Sequence, residues 1–124
     1  YYLPTSKMAG IAKYNKKWIG GWDYYAEQKA IRGDTRGSIE DLTMAIELAR
    51  TDKELNKYFY LRGLAFAELG EWNRAFPDVA ALASVHDKNV YNLSAHVCLH
   101  NNLPHRAKLF TEAYWRLKNN ERSE

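Results

Sequence analysis

The sequence has one cysteine, Cys98, in 124 residues, so no disulfide can form within the chain and a reducing, cytoplasmic setting is favoured. Proline is scarce at three residues and glycine ordinary at seven, which excludes collagen-like and low-complexity classes. No apolar run approaches the roughly 20 residues that a membrane-spanning helix needs, and no charged-then-apolar leader opens the chain. The chain begins with Tyr rather than Met and reads as a processed protein or a segment of a longer one. A glycine-rich phosphate loop, a nucleophile elbow and a paired-cysteine motif are all missing. The expectation is therefore a protein that is not an enzyme and carries no cofactor or metal.

Histidine is sparse, and its placement is the nearest approach to reactive chemistry. His96 and His100 are four residues apart and would share one helical face, a spacing that can hold a metal. The run His96-Val97-Cys98-Leu99-His100 lacks the Glu that a hydrolytic zinc helix places after its first His, and a third ligand would have to come from elsewhere, such as Glu68. Packed or solvated histidines are the simpler reading. Cys98 falls at a packing position, where a thiol behaves as a small hydrophobe.

What the chain does have is aromatic residues: nine Tyr, four Trp and four Phe. These bury large areas and also anchor binding surfaces. The net charge of +3 is unevenly spread. Residues 1–18 hold four lysines and no acid, whereas residues 19–55 hold five basic and eight acidic residues. The first segment reads as a basic arm or capping helix, too thinly charged to make nucleic acid a favoured partner.

Hydrophobic periodicity is helical throughout. Ile39, Leu42, Met44 to Ile46 and Ala49 form one apolar stripe, and Leu61, Leu64 to Phe66 and Leu69 another. Helices are expected at about 20–32, 36–50, 54–69, 72–85, 88–101 and 104–119. Gly33 and Gly70 stand where a first helix must stop, and Pro104 suits a first helical turn.

These elements repeat. In residues 56–89, Phe59, Gly63, Phe66, Gly70, Ala75, Val79 and Leu82 place bulky, small and turn residues at fixed spacings. Residues 19–52 repeat the series with Trp22, Ala26, Lys29, Gly33, Ser38, Leu42 and Ala45. Residues 88–121 repeat it with Tyr91, Ala95, Cys98, Asn102, Ala107, Thr111 and Tyr114. This pattern resembles the tetratricopeptide repeat. It departs from that family at Lys29, where an aromatic is usual, at Arg62, where Leu is preferred, and at Asp87, where Pro is frequent.

The resemblance implies an all-α fold, a right-handed superhelical stack of about three helix-turn-helix repeats over residues 19–121. It also implies a concave face lined by the first helix of each repeat. That face would present Gly20, Asp23, Glu27, Ala30 and Ile31, then Lys57, Tyr60, Leu64, Ala67 and Glu68, then Asn89, Asn92, His96, Leu99 and His100. Asp23 and Glu27 stand where carboxylate-gripping members of the family carry Lys and Asn, so a carboxylate ligand is disfavoured. A peptide or helix with an apolar anchor near Tyr60 and Leu64 and a basic group toward Asp23 and Glu27 fits better. The last helix adds Leu109, Phe110, Tyr114, Trp115 and Leu117, more apolar surface than one neighbour covers, which invites a partner or a second copy. The expected function is a scaffold or adaptor that binds a protein or peptide. An inhibitor or immunity-type protein that covers a partner enzyme is the alternative.

Overall fold

A computed structural model describes residues 19–123, with side chains from Trp22 to Glu121, and these residues are all-helical, with no strand among them. The basic arm of residues 1–18 lies outside the described residues. Six helices follow in order: α1 (Ile19–Ile31), α2 (Thr35–Leu48), α3 (Asp52–Glu68), α4 (Trp72–Ala80), α5 (Lys88–His100) and α6 (Pro104–Ser123). Each helix packs on the next in the chain, and α3 also touches α5.

The turns show the internal repetition most clearly. Gly33, Gly70 and Asn102 all take positive φ, at 83°, 71° and 60°. The three turns also share one hydrogen-bond pattern. The amide after the left-handed residue reaches back five residues, Asp34 to Lys29, Glu71 to Phe66 and Leu103 to Cys98, at 2.8 to 2.9 Å. The left-handed residue itself donates three residues back, to Ala30, Ala67 and Leu99. This is one helix-ending motif used three times, satisfying carbonyls that a helix end would otherwise orphan. Asparagine replaces glycine in the third because its short polar side chain tolerates the left-handed region.

Side-chain caps start the helices. Asp34 accepts from the Gly37 amide at 2.9 Å. Thr51 accepts from the Glu54 amide at 3.1 Å, while the Glu54 carboxylate returns to the Arg50 amide, a capping box displaced by one residue. Asp87 accepts from the amides of Asn89 and Val90. Asp87 thus starts α5 with a side-chain cap.

The small positions of the repeat are the points of closest approach. Ala26 is 2%, Ser38 4%, Ala75 0% and Ala107 7% exposed. At Gly63 an added Cβ would lie 3.4 Å from both the Asp78 Cβ and Leu93 Cδ2. Two cores result, one of Trp22, Tyr25, Ala26, Leu42, Ala45 and Tyr58, the other of Ala75, Val79, Leu93 and Val97.

Two expected helices differ in length. α4 ends at Ala80, not near residue 85, and continues as a tight turn with three-residue hydrogen bonds from Leu82, Ala83 and Val85. Pro77 inside α4 removes one helical donor, and β-branched Val85 then favours leaving the helix. α6 instead runs 20 residues to Ser123. That is about 30 Å against about 20 Å for α5 at 1.5 Å per residue, and its last turn is tied to the start of α5 by Lys88 Nζ, 2.8 Å from Glu121 Oε2.

Candidate functional groove

The first helices of the three pairs, α1, α3 and α5, line a chain of three clefts. The innermost, about 380 Å³, has Ala26, Leu42, Leu61, Leu64 and Ala65 for its apolar lining and Asp23, Glu27, Lys57 and Glu68 for its charges. The middle cleft, about 290 Å³, shares Leu64 and Glu68 with the first and adds Tyr60, Ala67, Trp72, Asn89, Asn92, Leu93 and His96. The outermost, about 560 Å³, shares Asn92 and His96 with the second and reaches α6 at Lys108, Tyr114 and Trp115. Shared walls make the three one groove.

Most residues assigned to this face from the sequence do line it. Asp23, Glu27 and Ala30 sit in the inner cleft, Tyr60, Leu64, Ala67 and Asn92 in the middle, and His96 at the join of the middle and outer clefts. Two do not line these clefts. Ile31 is 71% exposed at the end of α1. His100 lies flat against Trp72, centroids 4.0 Å apart and planes 6° apart, and so ties α5 to the start of α4. Asn101 reinforces that junction, donating to the Trp72 carbonyl at 2.9 Å and to the Val97 carbonyl at 2.7 Å. His96 and His100 therefore have different neighbours although they are one turn apart.

The two C-terminal aromatics also part company. Trp115, 47% exposed, lines the outer cleft, edge-on to Tyr114 and beneath the Lys118 ammonium at 5.4 Å. Phe110 faces a separate apolar cleft of about 510 Å³ formed with Phe76, Val79, Tyr91 and Cys98. Burial raises the Cys98 thiol above its ordinary pKa, partly opposed by Arg106, so a thiolate is disfavoured there.

Electrostatics distinguish the two ends of the groove. Lys57 Nζ lies 2.7 Å from Asp23 Oδ2, joining α3 to α1, a pair the sequence reading treated as two independent face residues. At the same end Tyr58 is raised above the usual phenol pKa by burial first and then by Asp23 and Glu54. Tyr60 is raised by burial and by Asp87. Among the described residues, Lys108 is the only Lys, Arg, Asp or Glu in the outer cleft.

Behind the groove, the seam between α2 and α4 is closed by polar contacts that sequence reasoning missed. Arg62 donates to buried Asp78 at 2.6, 3.0 and 3.2 Å and to Thr43 Oγ1 at 3.1 Å. Arg36 and Arg74 both pair with Glu71. Lys29, at the position expected to be aromatic, lies 3.1 Å from the buried Asp41 carboxylate. The signal was present: the two basic departures from the pattern, Arg62 and Lys29, each have an acid on the buried stripe of the second helix of their own pair.

No family model matches the chain, and no curated protein or solved structure is similar enough to match it. Among the described residues, no three His, Cys, Asp or Glu side chains converge as a metal site would require. No described helix is long and apolar enough to cross a membrane.

Proposed function

We propose that this chain is a non-catalytic interaction module, a right-handed superhelical stack of three tetratricopeptide-like helix pairs that holds a segment of a partner protein in its groove. The continuity of the three clefts along α1, α3 and α5 carries this reading. One helix from each pair contributes to a single concave track, as repeat stacks do when they bind extended or helical segments. Support comes also from the three turns, which share one left-handed helix-ending hydrogen-bond pattern, as repeated units would. An apolar lining with Leu64 and Tyr60 near its middle supplies anchoring surface, and Asn89, Asn92 and His96 supply polar groups that fix register.

The test is selection of random twelve-residue peptides displayed on phage against the wild-type chain, with Ala67→Trp as the blocked groove. Ala67 lines the middle cleft, and a tryptophan there obstructs the track. Enriched peptides that bind wild type and lose at least tenfold on Ala67→Trp, with the helical circular dichroism unchanged, support the reading. Peptides that bind both proteins equally place recognition elsewhere and overturn it.

A further inference from the structure

Given the groove reading above, we propose that the groove selects a basic, apolar peptide segment, with its Lys or Arg residues held at the α1–α3 end by Glu27 and Glu68. The inner cleft carries three carboxylates, Asp23, Glu27 and Glu68, against one ammonium, Lys57. Asp23 is already neutralised by Lys57 at 2.7 Å, so it is not the residue that reads the ligand. Glu27 and Glu68 are both exposed, and neither has an ion-pair partner among the described residues. They come from different helices onto the rim of one apolar cleft, so a cation seated there meets two carboxylates while its stem lies on Leu61 and Leu64.

The rest of the track gives the segment a direction. The middle cleft has Glu68 as its only Lys, Arg, Asp or Glu and presents Tyr60, Leu64, Trp72 and Leu93, a place for a bulky aliphatic or aromatic side chain. The outer cleft replaces acid with Lys108. Potential therefore runs from negative at α1 to positive at α6, and a segment that is basic at one end and neutral or acidic at the other matches it. A free carboxylate at the α1 end would meet two like charges, which works as selection against acidic ligands.

Fluorescence anisotropy on the full chain tests this with two labelled ten-residue peptides. One carries two lysines flanking a leucine and a tryptophan, and the other carries glutamate in place of both lysines. The basic peptide is expected to bind at least tenfold more tightly at low salt, with the gap closing toward half-molar NaCl as screening shortens the Debye length. Glu27→Lys combined with Glu68→Lys should reverse the preference, and the milder pair Glu27→Gln and Glu68→Gln should abolish it should the reversal impair folding. Equal affinity of the two peptides for wild type, no binding of the basic one, or a preference that survives both double variants overturns the proposal. Phage-selected peptides that require the groove but lack Lys and Arg would overturn this charge selection while leaving the interaction module itself intact.

Discussion

Removing the Asp78 carboxylate should destabilise the chain by about 3 kcal/mol, the lower part of the range for breaking a buried ion pair. Asp78 has 1% of its side chain exposed and Arg62 20%, and three contacts of 2.6 to 3.2 Å join them. Asp78→Leu leaves a guanidinium with only Thr43 and some access to water, which keeps the cost toward the low end. Arg62→Leu is the more severe change, at about 4 kcal/mol, because it leaves an acceptor with no solvent at all. The double variant Arg62→Leu with Asp78→Leu removes both charges and should cost less than the two single losses added, with a coupling of at least about 2 kcal/mol. Urea unfolding followed by circular dichroism resolves this. With a slope of about 1–3 kcal/mol per molar, a 3 kcal/mol loss shifts the midpoint by roughly 1–3 M. A loss below about 1 kcal/mol for Asp78→Leu, or strict additivity in the cycle, would refute the claim that this pair closes the α2–α4 seam.

Gly70, at φ 71°, should lose about 1–2 kcal/mol as Gly70→Ala, since a Cβ is strained in the left-handed region, whereas Asn102→Gly should change stability by less than about 0.5 kcal/mol; thermal melts compare them. Gly63→Ala should be tolerated, because its Cβ meets neighbours at 3.4 Å, and Gly63→Val should prevent cooperative folding as judged by calorimetry. Asp41 is raised above its ordinary pKa by burial, with Lys29 opposing. Its protonated form is thus favoured in the folded state, so its contribution is fully present below the unfolded pKa and lost as pH rises through the higher folded value. The urea midpoint of wild type minus that of Asp41→Asn should therefore fall as pH rises above the ordinary carboxylate range, and a flat or rising difference would contradict the burial argument. Cys98, 2% exposed and raised in pKa, should react with Ellman's reagent far more slowly in the native chain than in urea, and prompt native labelling would show an open α5–α6 interface.

Much of this architecture was legible because it depends on residue size at fixed spacing. Small residues at Ala26, Gly63 and Ala75 and turn residues at Gly33, Gly70 and Asn102 report backbone demands that hold whatever lies beyond the helix pair. The groove-lining residues follow from the phase of the first helices, although Tyr60, Leu64 and Ala67 pack against the core as well. Pairing was harder to read. Whether Asp23 meets solvent or Lys57 depends on how α1 and α3 sit side by side, 34 residues apart in sequence. His100 was assigned to the groove from its phase on α5, but the phase does not contain Trp72, which enters from the start of the preceding helix. The end of α4 was misjudged because the apolar stripe continues to buried Leu82 although the helical hydrogen bonds do not.

The two seams on the far side of the groove show why similar helix pairs need not share a function surface. In the first, Thr43, Arg62 and Asp78 form a bonded trio across α2, α3 and α4. One repeat later the same positions hold Ala80, Ser94 and Phe110, and an apolar cleft that Ala80 and Phe110 both line stands there instead. The second seam has no such polar plug among the described residues, so similar helix packing does not dictate what fills a seam. The same freedom operates on the groove side, where the lining changes charge from Glu27 on α1 and Glu68 on α3 to Lys108 on α6. Packing residues are held by close neighbours, and Tyr60, Leu64 and Ala67 pack against the core even as they line the groove, whereas Glu27 and Glu68 are exposed. The gradient of charge along the track is therefore the feature that tests the proposed peptide binding most directly: under that proposal a bound segment carries its basic residues toward α1.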